Sequence, residues 1–347
     1  MDNHREVIII GSGPSALTSA LYCGRAQLQP LVLEGELDEG MTPGGQLMTT
    51  TEVENYPGFE SISGPDLVAK MREQALKWDV KMLEETVIDV VRLTDYTLTC
   101  LVTGEDRRSR GNEGETRVTG EVLHKYNFLL STKSGRQYLC KALIIATGAS
   151  ANTLDVPGKD EFWQKGVSSC CVCDGACSIF RNKPTIICGG GDTAMEESLF
   201  MTKYSSKVYI VHRRDTLRAS KVMQARVKAN PKIEILYNTK LEEIKGDKLV
   251  NQVVLSNTLT GVPSILDVSG VFFAIGHTPN TSFLQRNFPQ LLNENGYINT
   301  TPGSTCTQIP GLFAAGDCQD FKYRQAITSC GSGCMAALDV EHYLSGH

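Results

Sequence analysis

The chain is punctuated by short runs of consecutive apolar residues, each closed by a glycine-rich turn and most followed by an amphipathic stretch. Val7-Ile8-Ile9-Ile10 is such a run and reads as a strand buried on both faces. Gly11-Ser12-Gly13-Pro14-Ser15-Ala16 follows, then helical spacing through Leu17, Ala20, Leu21 and Gly24, then a second strand at Pro30-Leu31-Val32-Leu33. An amphipathic helix is predicted from Leu67 to Trp78, with Leu67, Val68, Met71, Ala75 and Leu76 on one face. Val87 to Leu93 is strand-like, and Ala142-Leu143-Ile144-Ile145 is a buried strand ending at Ala146-Thr147-Gly148. The pattern then restarts. Thr185-Ile186-Ile187-Cys188 is a strand, Gly189 to Ala194 a glycine turn, and Glu196, Leu199 and Phe200 mark a helix before the strand Lys207 to Val211. Leu249 to Leu255 and Val268 to Ala274 alternate as strands do. Gly311 to Ala314 is a strand that leads through Gly316-Asp317 to a helix around Gln325 to Leu338.

Between these elements lie segments with little to bury. Met41 to Leu47 and Asn55 to Phe59 are rich in Pro and Gly and read as loops. Gly104 to Glu115 is dense in charge and glycine and reads as a surface insertion, whose Arg107, Arg108 and Arg110 are largely cancelled by neighbouring acids. Asn152 to Pro157 and Ile275 to Asn280 read as two crossings between domains.

Strand, G-x-G-x-x-A turn and helix occur twice, at Gly11 and at Gly189. In this pattern the first glycine permits the tight turn, the second lets a pyrophosphate approach the backbone, and the small third residue allows close helix–strand packing. The second strands end differently. The first ends at Glu34, about 20 residues on, where an acid can hold a ribose hydroxyl. The second ends in His212-Arg213-Arg214-Asp215 with Arg218 beyond, and guanidinium groups there suit a 2′-phosphate. The second site is therefore expected to take NADP rather than NAD. Asp317, just ahead of a helix, could bind a ribityl or ribose hydroxyl.

Between the two units stands Cys170-Cys171-Val172-Cys173-Asp174-Gly175. Cys170 and Cys173 form a C-x-x-C, whose small ring suits a catalytic disulfide better than a structural one. Asp174 supplies the proton donor that a dithiol–disulfide relay needs. The chain has 347 residues with 12 cysteines, too long for them to imply a disulfide framework, and most are expected as buried thiols. No second C-x-x-C or paired-His motif accompanies the first, so no metal is expected. Net charge is −5, which gives no general affinity for nucleic acid or anionic membrane. No apolar run reaches the roughly 18 residues of a membrane span. The polar start, Met1 to Glu6, reads as neither a secretion signal nor a transit peptide, so a cytoplasmic protein is expected.

These segments, together with Gly44-Gly45-Gln46-Leu47, Asn55 to Phe59, Ala274 to His277 and Tyr323-Arg324-Gln325-Ala326, run in order through nearly the whole chain and resemble the low-molecular-weight thioredoxin reductases. The resemblance implies an α/β protein with two Rossmann-like dinucleotide-binding domains of three-layer ββα type. The NADPH domain (152–277) would be inserted in a discontinuous FAD domain (1–151 and 278–347). It implies FAD contacts at Gly11, Ser12, Gly13, Pro14, Ala16, Glu34, Gln46, Leu47, Asn55, Val87, Thr147, Gly148, Gly316, Asp317, Arg324, Gln325 and Ala326. NADPH contacts would be Gly191, Asp192, Thr193, His212, Arg213, Arg214 and Arg218. It further implies a homodimer, thioredoxin as disulfide substrate, Asp174 as acid–base group, and rotation of one domain between half-reactions. Two departures stand out: Cys171, where the family usually has Ala, is expected to be a spectator, and the charged insertion is longer than the family's hairpin.

Other readings separate by sequence. A reductase of another disulfide carrier usually has an extra thioredoxin-like domain, for which no residues remain. An oxygen-using dithiol oxidase tends to lose the nicotinamide site, whereas Arg213, Arg214 and Arg218 are present. A non-catalytic redox sensor has no need of a complete acid–dithiol set.

Overall fold

A computed structural model describes residues 3–37, 43–93 and 125–346. Met41-Thr42 and the charged insertion lie outside the described residues. Contacts divide the chain into two units. A flanking unit comprises Met1–Thr50, Tyr56–Ala149 and Pro279–His347; an inserted unit comprises Thr51–Asn55 and Ser150–Thr278.

In the flanking unit, β1 (His4–Ile10) is joined to β2 (Leu31–Leu33) by α1 (Pro14–Arg25), and α2 (Gly64–Leu76) leads to β3 (Lys81–Leu83). A meander follows in β4 (Val87–Arg92), β5 (Phe128–Thr132) and β6 (Gln137–Ile145), and the C-terminal segment adds β17 (Leu312–Ala314). The seven strands form one sheet, in which β3, β2, β1, β6 and β17 are parallel neighbours while β5 pairs antiparallel with β6 on one side and with β4 on the other. Period-two geometry splits β1 between two cores. Val7 and Ile9 face Ala16, Ala20 and the last helix, whereas Ile8 and Ile10 face Val90, Phe128 and Phe288. All four are buried, each contributing about 1.5–3 kcal/mol of hydrophobic stabilisation. α6 (Ala326–Ser345) packs along α1, and the close approach needs Gly333, where a Cβ would lie 2.3 Å from the Ser15 carbonyl oxygen.

The inserted unit repeats the plan. Its parallel sheet has the order β11 (Ile233–Leu236), β10 (Val208–Val211), β9 (Thr185–Cys188), β15 (Gly270–Phe273), β8 (Val167–Ser168). The single turn α3 (Cys171–Asp174) follows β8, α4 (Asp192–Met201) follows β9, and α5 (Lys221–Ala229) follows β10. An antiparallel sheet of β12 (Thr239–Gly246), β13 (Val250–Asn257) and β14 (Pro263–Asp267) covers the other face. Alternation along β9 separates the two cores: Ile186 and Cys188 meet Leu241, Val253 and Leu255, while Ile187 meets Ala194, Met195 and Cys171. The unit is thus three layers, antiparallel sheet, parallel sheet and helices.

At the crossings, β7 (Ala149–Ala151) and β16 (His277–Pro279) form a two-stranded ribbon. The Ile275 to Asn280 crossing expected from sequence is therefore partly strand. The expected loop ahead of Leu47 likewise winds into a 3-10 helix, Gly45–Thr49. The helix predicted around Gln325 to Leu338 runs on to Ser345, where Gly346 in the left-handed region (φ 76°) ends it.

Candidate active site

β8 and α3 carry the cysteine pair. Cys170 and Cys173 form a disulfide with Cα atoms 5.3 Å apart. Cys170 occupies the N-cap of α3, where its Sγ accepts from the Cys173 backbone N–H at 3.1 Å, and both half-cystines are half-buried. Asp174 closes the turn and is buried. Burial raises its carboxyl above the usual range, partly opposed by hydrogen bonds from Ser168 and Gln164. Gln164 Nε2 donates to Asp174 Oδ2 at 3.3 Å, and Ser168 Oγ donates to the same oxygen.

Cys171 lies beside the pair but points inward and is fully buried among Ile187, Met195 and Met201. Burial, then the nearby Glu197 carboxylate, holds its thiol well above the ordinary value, so it stays protonated and non-nucleophilic. Cys177 is pushed up to about 11 by burial and by Asp174. Cys330 and Cys334, one turn apart on α6, are buried and half-buried thiols. Among the described residues no cluster of His, Cys, Asp or Glu could hold a metal.

The first glycine turn connects β1 to α1. Gly11 (φ 128°) admits no side chain, since a Cβ would lie 2.2 Å from the Ala146 carbonyl oxygen. Gly13 is the N-cap of α1 and supplies no side-chain cap, so the helix presents its first N–H groups unfilled, with Pro14 and Ala16 in its first turn. Ser12 Oγ donates to the Glu34 carbonyl at 2.9 Å and accepts from Gly44 N at 2.8 Å, tying the end of β2 to the loop carrying Gln46 and Leu47. The Glu34 carboxylate is buried and paired with Arg72. Thr147 Oγ1, just past the end of β6, is buried with no hydrogen-bond partner among the described residues. Beside it Gly148 (φ 69°) leaves open space where a side chain would stand. Asp317, after β17, is raised to about 6 by burial and accepts from Ser329 Oγ at 2.9 Å. Gln325 caps α6, Ala326 begins it, and Arg324 (φ 47°) donates from its backbone N–H to Asp320. Val87 is a core residue of β4. Gly11 to Ala16, Glu34, Gln46, Leu47, Val87, Thr147, Gly148 and Gly316 to Ala326 thus share the flanking unit, whereas Asn55 groups by contacts with the inserted one.

The second glycine turn has the same construction. A Cβ on Gly189 would lie 2.4 Å from the Ala274 carbonyl oxygen, while Gly191, the uncapped N-cap of α4, faces open space. The arginine loop after β10 is anchored to this turn. The Gly190 carbonyl accepts from Arg218 N (2.7 Å) and Ala219 N (3.0 Å), and Asp192 Oδ1 accepts from Ser220 N (2.8 Å). Thr193 follows in the first turn of α4. His212 is buried, and its Nε2 donates to the Thr216 carbonyl at 2.9 Å. Arg213, Arg214 and Arg218 are exposed, and among the described residues none forms an ion pair. Sequence reasoning missed Ser168, Gln164 and the part played by Gly190, because each acts through a contact made only by the fold.

Chains of known type share this plan. The family of pyridine nucleotide-disulphide oxidoreductases is matched over residues 5–333. A thioredoxin reductase of Chlamydia pneumoniae is 49% identical over 98% of this chain and 99% of its own length. Thioredoxin reductase 1 of Saccharomyces cerevisiae is 48% identical over 99% and 98%. Among solved structures, the thioredoxin reductase from Giardia duodenalis superposes with a TM-score of 0.84 at 38% identity, covering 99% of this chain and 100% of that one. The enzyme from Streptococcus pyogenes gives 0.82 at 35%, with complete coverage of both. The chain belongs to the pyridine nucleotide-disulphide oxidoreductases, and within them to the thioredoxin reductases. It is a disulfide oxidoreductase, and membership implies use of a flavin and a pyridine nucleotide.

Proposed function

We propose that this enzyme reduces the disulfide of thioredoxin with NADPH, through FAD and the Cys170–Cys173 pair, with Asp174 as the acid–base group. The observation that carries the reading is the half-buried Cys170–Cys173 disulfide directly followed by a buried Asp174, whose carboxyl burial raises above its ordinary value. The flanking unit suits FAD: an uncapped helix start at Gly13, an orphaned Thr147 Oγ1 and open space at Gly148 await polar partners. Gly11, Ser12, Gly13, Pro14, Ala16, Glu34, Gln46, Leu47, Val87, Thr147, Gly148, Gly316, Asp317, Arg324, Gln325 and Ala326 would hold it, with Asn55 contributed from the short 51–55 segment. The inserted unit suits NADPH. Gly191, Asp192 and Thr193 would receive the pyrophosphate at the start of α4, while Arg213, Arg214 and Arg218 would receive the 2′-phosphate. His212 stands just before those arginines.

When bound, NADPH and FAD would supply the equivalent of one hydride per turnover, that is, two electrons and one proton. Opening the Cys170–Cys173 bond takes up those two electrons and two protons, the second proton coming from solvent. Asp174 relays it to the leaving sulfur, which is general acid catalysis by a carboxyl that burial shifts toward its protonated form. The resulting dithiol attacks the substrate disulfide as a thiolate, forming a mixed disulfide that the second thiolate resolves. The enzyme disulfide is regenerated and the substrate leaves with two thiols.

The pyridine nucleotide and the disulfide would both be carried by the inserted unit, and each must meet a flavin held by the flanking unit. Rotation of one unit against the other between half-reactions answers that demand, with the two chain crossings near Asn152 and Gly276 as hinges. The reading includes a homodimer and a cytosolic setting, whose reducing conditions suit the nine free cysteines found among the described residues. Cys173→Ser tests it. The variant should keep its flavin, still be reduced by NADPH, and lose thioredoxin reduction; undiminished turnover would sink the relay.

A further inference from the structure

Two side chains that lie outside the redox motif converge on Asp174. Ser168, the last residue of β8, donates from Oγ to Asp174 Oδ2 and accepts at Oγ from the Cys170 backbone N–H at 3.0 Å. One hydroxyl therefore joins the acid to the main chain of the disulfide. Gln164 donates to the same oxygen. Its backbone lies in the left-handed region (φ 59°), which a residue with a Cβ adopts only at a cost, and its N–H is held by the Val167 carbonyl at 2.9 Å. From that backbone its Nε2 reaches Asp174 Oδ2 at 3.3 Å.

Both donors go to Oδ2, and among the described residues none reaches Oδ1. A protonated carboxyl is not symmetric: its carbonyl oxygen accepts hydrogen bonds well, and its hydroxyl oxygen donates. Two fixed donors make Oδ2 the carbonyl oxygen. We propose that Ser168 and Gln164 are positioning residues that hold the Asp174 proton on Oδ1, the oxygen free to deliver it, and that Ser168 keeps this carboxyl in register with Cys170.

The inference rests on the reading of Asp174 as the acid. Asp174 acts on the Cys171 and Cys177 thiols, both held protonated by burial; Glu197 faces Cys171, and Glu52 and Glu54 face Cys177. The carboxyl's charge balance is thus set by its two donors and its burial. Hydrogen bonds stabilise the ionised form, so removing one should raise the carboxyl's titration midpoint.

The test is the titration of the Asp174 carboxyl in full-length protein labelled with [13C]aspartate, its resonance assigned by loss in Asp174→Asn. Ser168→Ala should lower the ionisation constant about tenfold, the worth of one charge-assisted hydrogen bond. Ser168→Thr, which keeps the hydroxyl, should restore it. Gln164→Gly removes the amide while relieving the left-handed backbone, so it should fold at least as well and still move the titration to higher pH. The alkaline limb of turnover should move in the same direction in both variants. A titration unmoved by Ser168→Ala and Gln164→Gly overturns the proposal, as does a Ser168→Thr variant displaced as far as the alanine. Full turnover in Asp174→Asn would instead remove the acid role itself, while the titration would still report whether the two donors govern the carboxyl.

Discussion

The imidazole of His212 is packed so closely against Gly190 that a methyl group on the glycine would lie 2.3 Å from the ring. The contact explains a glycine the nucleotide motif does not itself require. From that position His212 Nε2 donates to the Thr216 carbonyl, and Thr216 lies in the loop that carries Arg218. Gly190→Ala should therefore push the ring away and loosen the arginine loop. One lost half-buried hydrogen bond predicts a KM for NADPH raised up to about tenfold. The KM for NADH, which lacks the 2′-phosphate, should barely change. Parallel steady-state kinetics with the two nucleotides check this.

The arginines make the complementary prediction. Arg213 and Arg214 are exposed and form no ion pair among the described residues, so neutralising them leaves no stranded charge. The double variant Arg213→Gln, Arg214→Gln should fold normally. It should lose roughly one to two orders of magnitude in kcat/KM for NADPH, the worth of charge-assisted contacts to phosphate. Equal loss with NADH would contradict the assignment of these residues to the 2′-phosphate.

Asp317 links pH to stability. Its carboxyl is held at about 6 in the folded chain by burial, above the roughly 3.9 of an unfolded aspartate. Between those values the folded form binds a proton that the unfolded form has released. This group's contribution to stability therefore falls as pH rises from about 4 to about 6 and stays low above that. Flavin-free Asp317→Asn should lack that slope, gaining on the wild type by about 1–3 kcal/mol between pH 4.5 and pH 7. Urea titrations at the two pH values measure it. An identical pH dependence in both proteins would rule the explanation out.

Cys171 should prove structural. It is fully buried, and its thiol is held protonated by burial and Glu197. Cys171→Ala should keep turnover within about twofold of wild type while losing about 1 kcal/mol of stability from the small cavity. Iodoacetamide applied to the native reduced enzyme should label Cys170 and Cys173 and spare Cys171, as peptide mapping would show.

Much of this was readable in the chain because the responsible signals are local. The short runs Val7-Ile8-Ile9-Ile10 and Thr185-Ile186-Ile187-Cys188, each closed by glycines, read as deeply buried strands, and the glycine turns after them follow from backbone crowding at Gly11 and Gly189. The C-x-x-C followed by Asp174 marks its own chemistry. What escaped depends on the tertiary fold. The β7–β16 ribbon is too short to show a period. The 3-10 turn at Gly45–Thr49 hides behind a composition typical of loops. Nothing local tells Gln164 to adopt a left-handed backbone, or Ser168 to join an acid to a cysteine. His212 reads as one more cofactor contact beside two arginines until its ring is seen wedged between Gly190 and Thr216.

The central claim is a relay from NADPH to a thioredoxin disulfide. Its most direct test is NADPH consumption by the purified flavoprotein with thioredoxin and insulin present, then with thioredoxin omitted, and with NADH in parallel. The account predicts turnover that needs thioredoxin and strongly prefers NADPH. Flavin reduction by NADPH with no thioredoxin-dependent turnover would contradict it, leaving the two nucleotide sites in place and assigning the cysteine pair to a different electron acceptor.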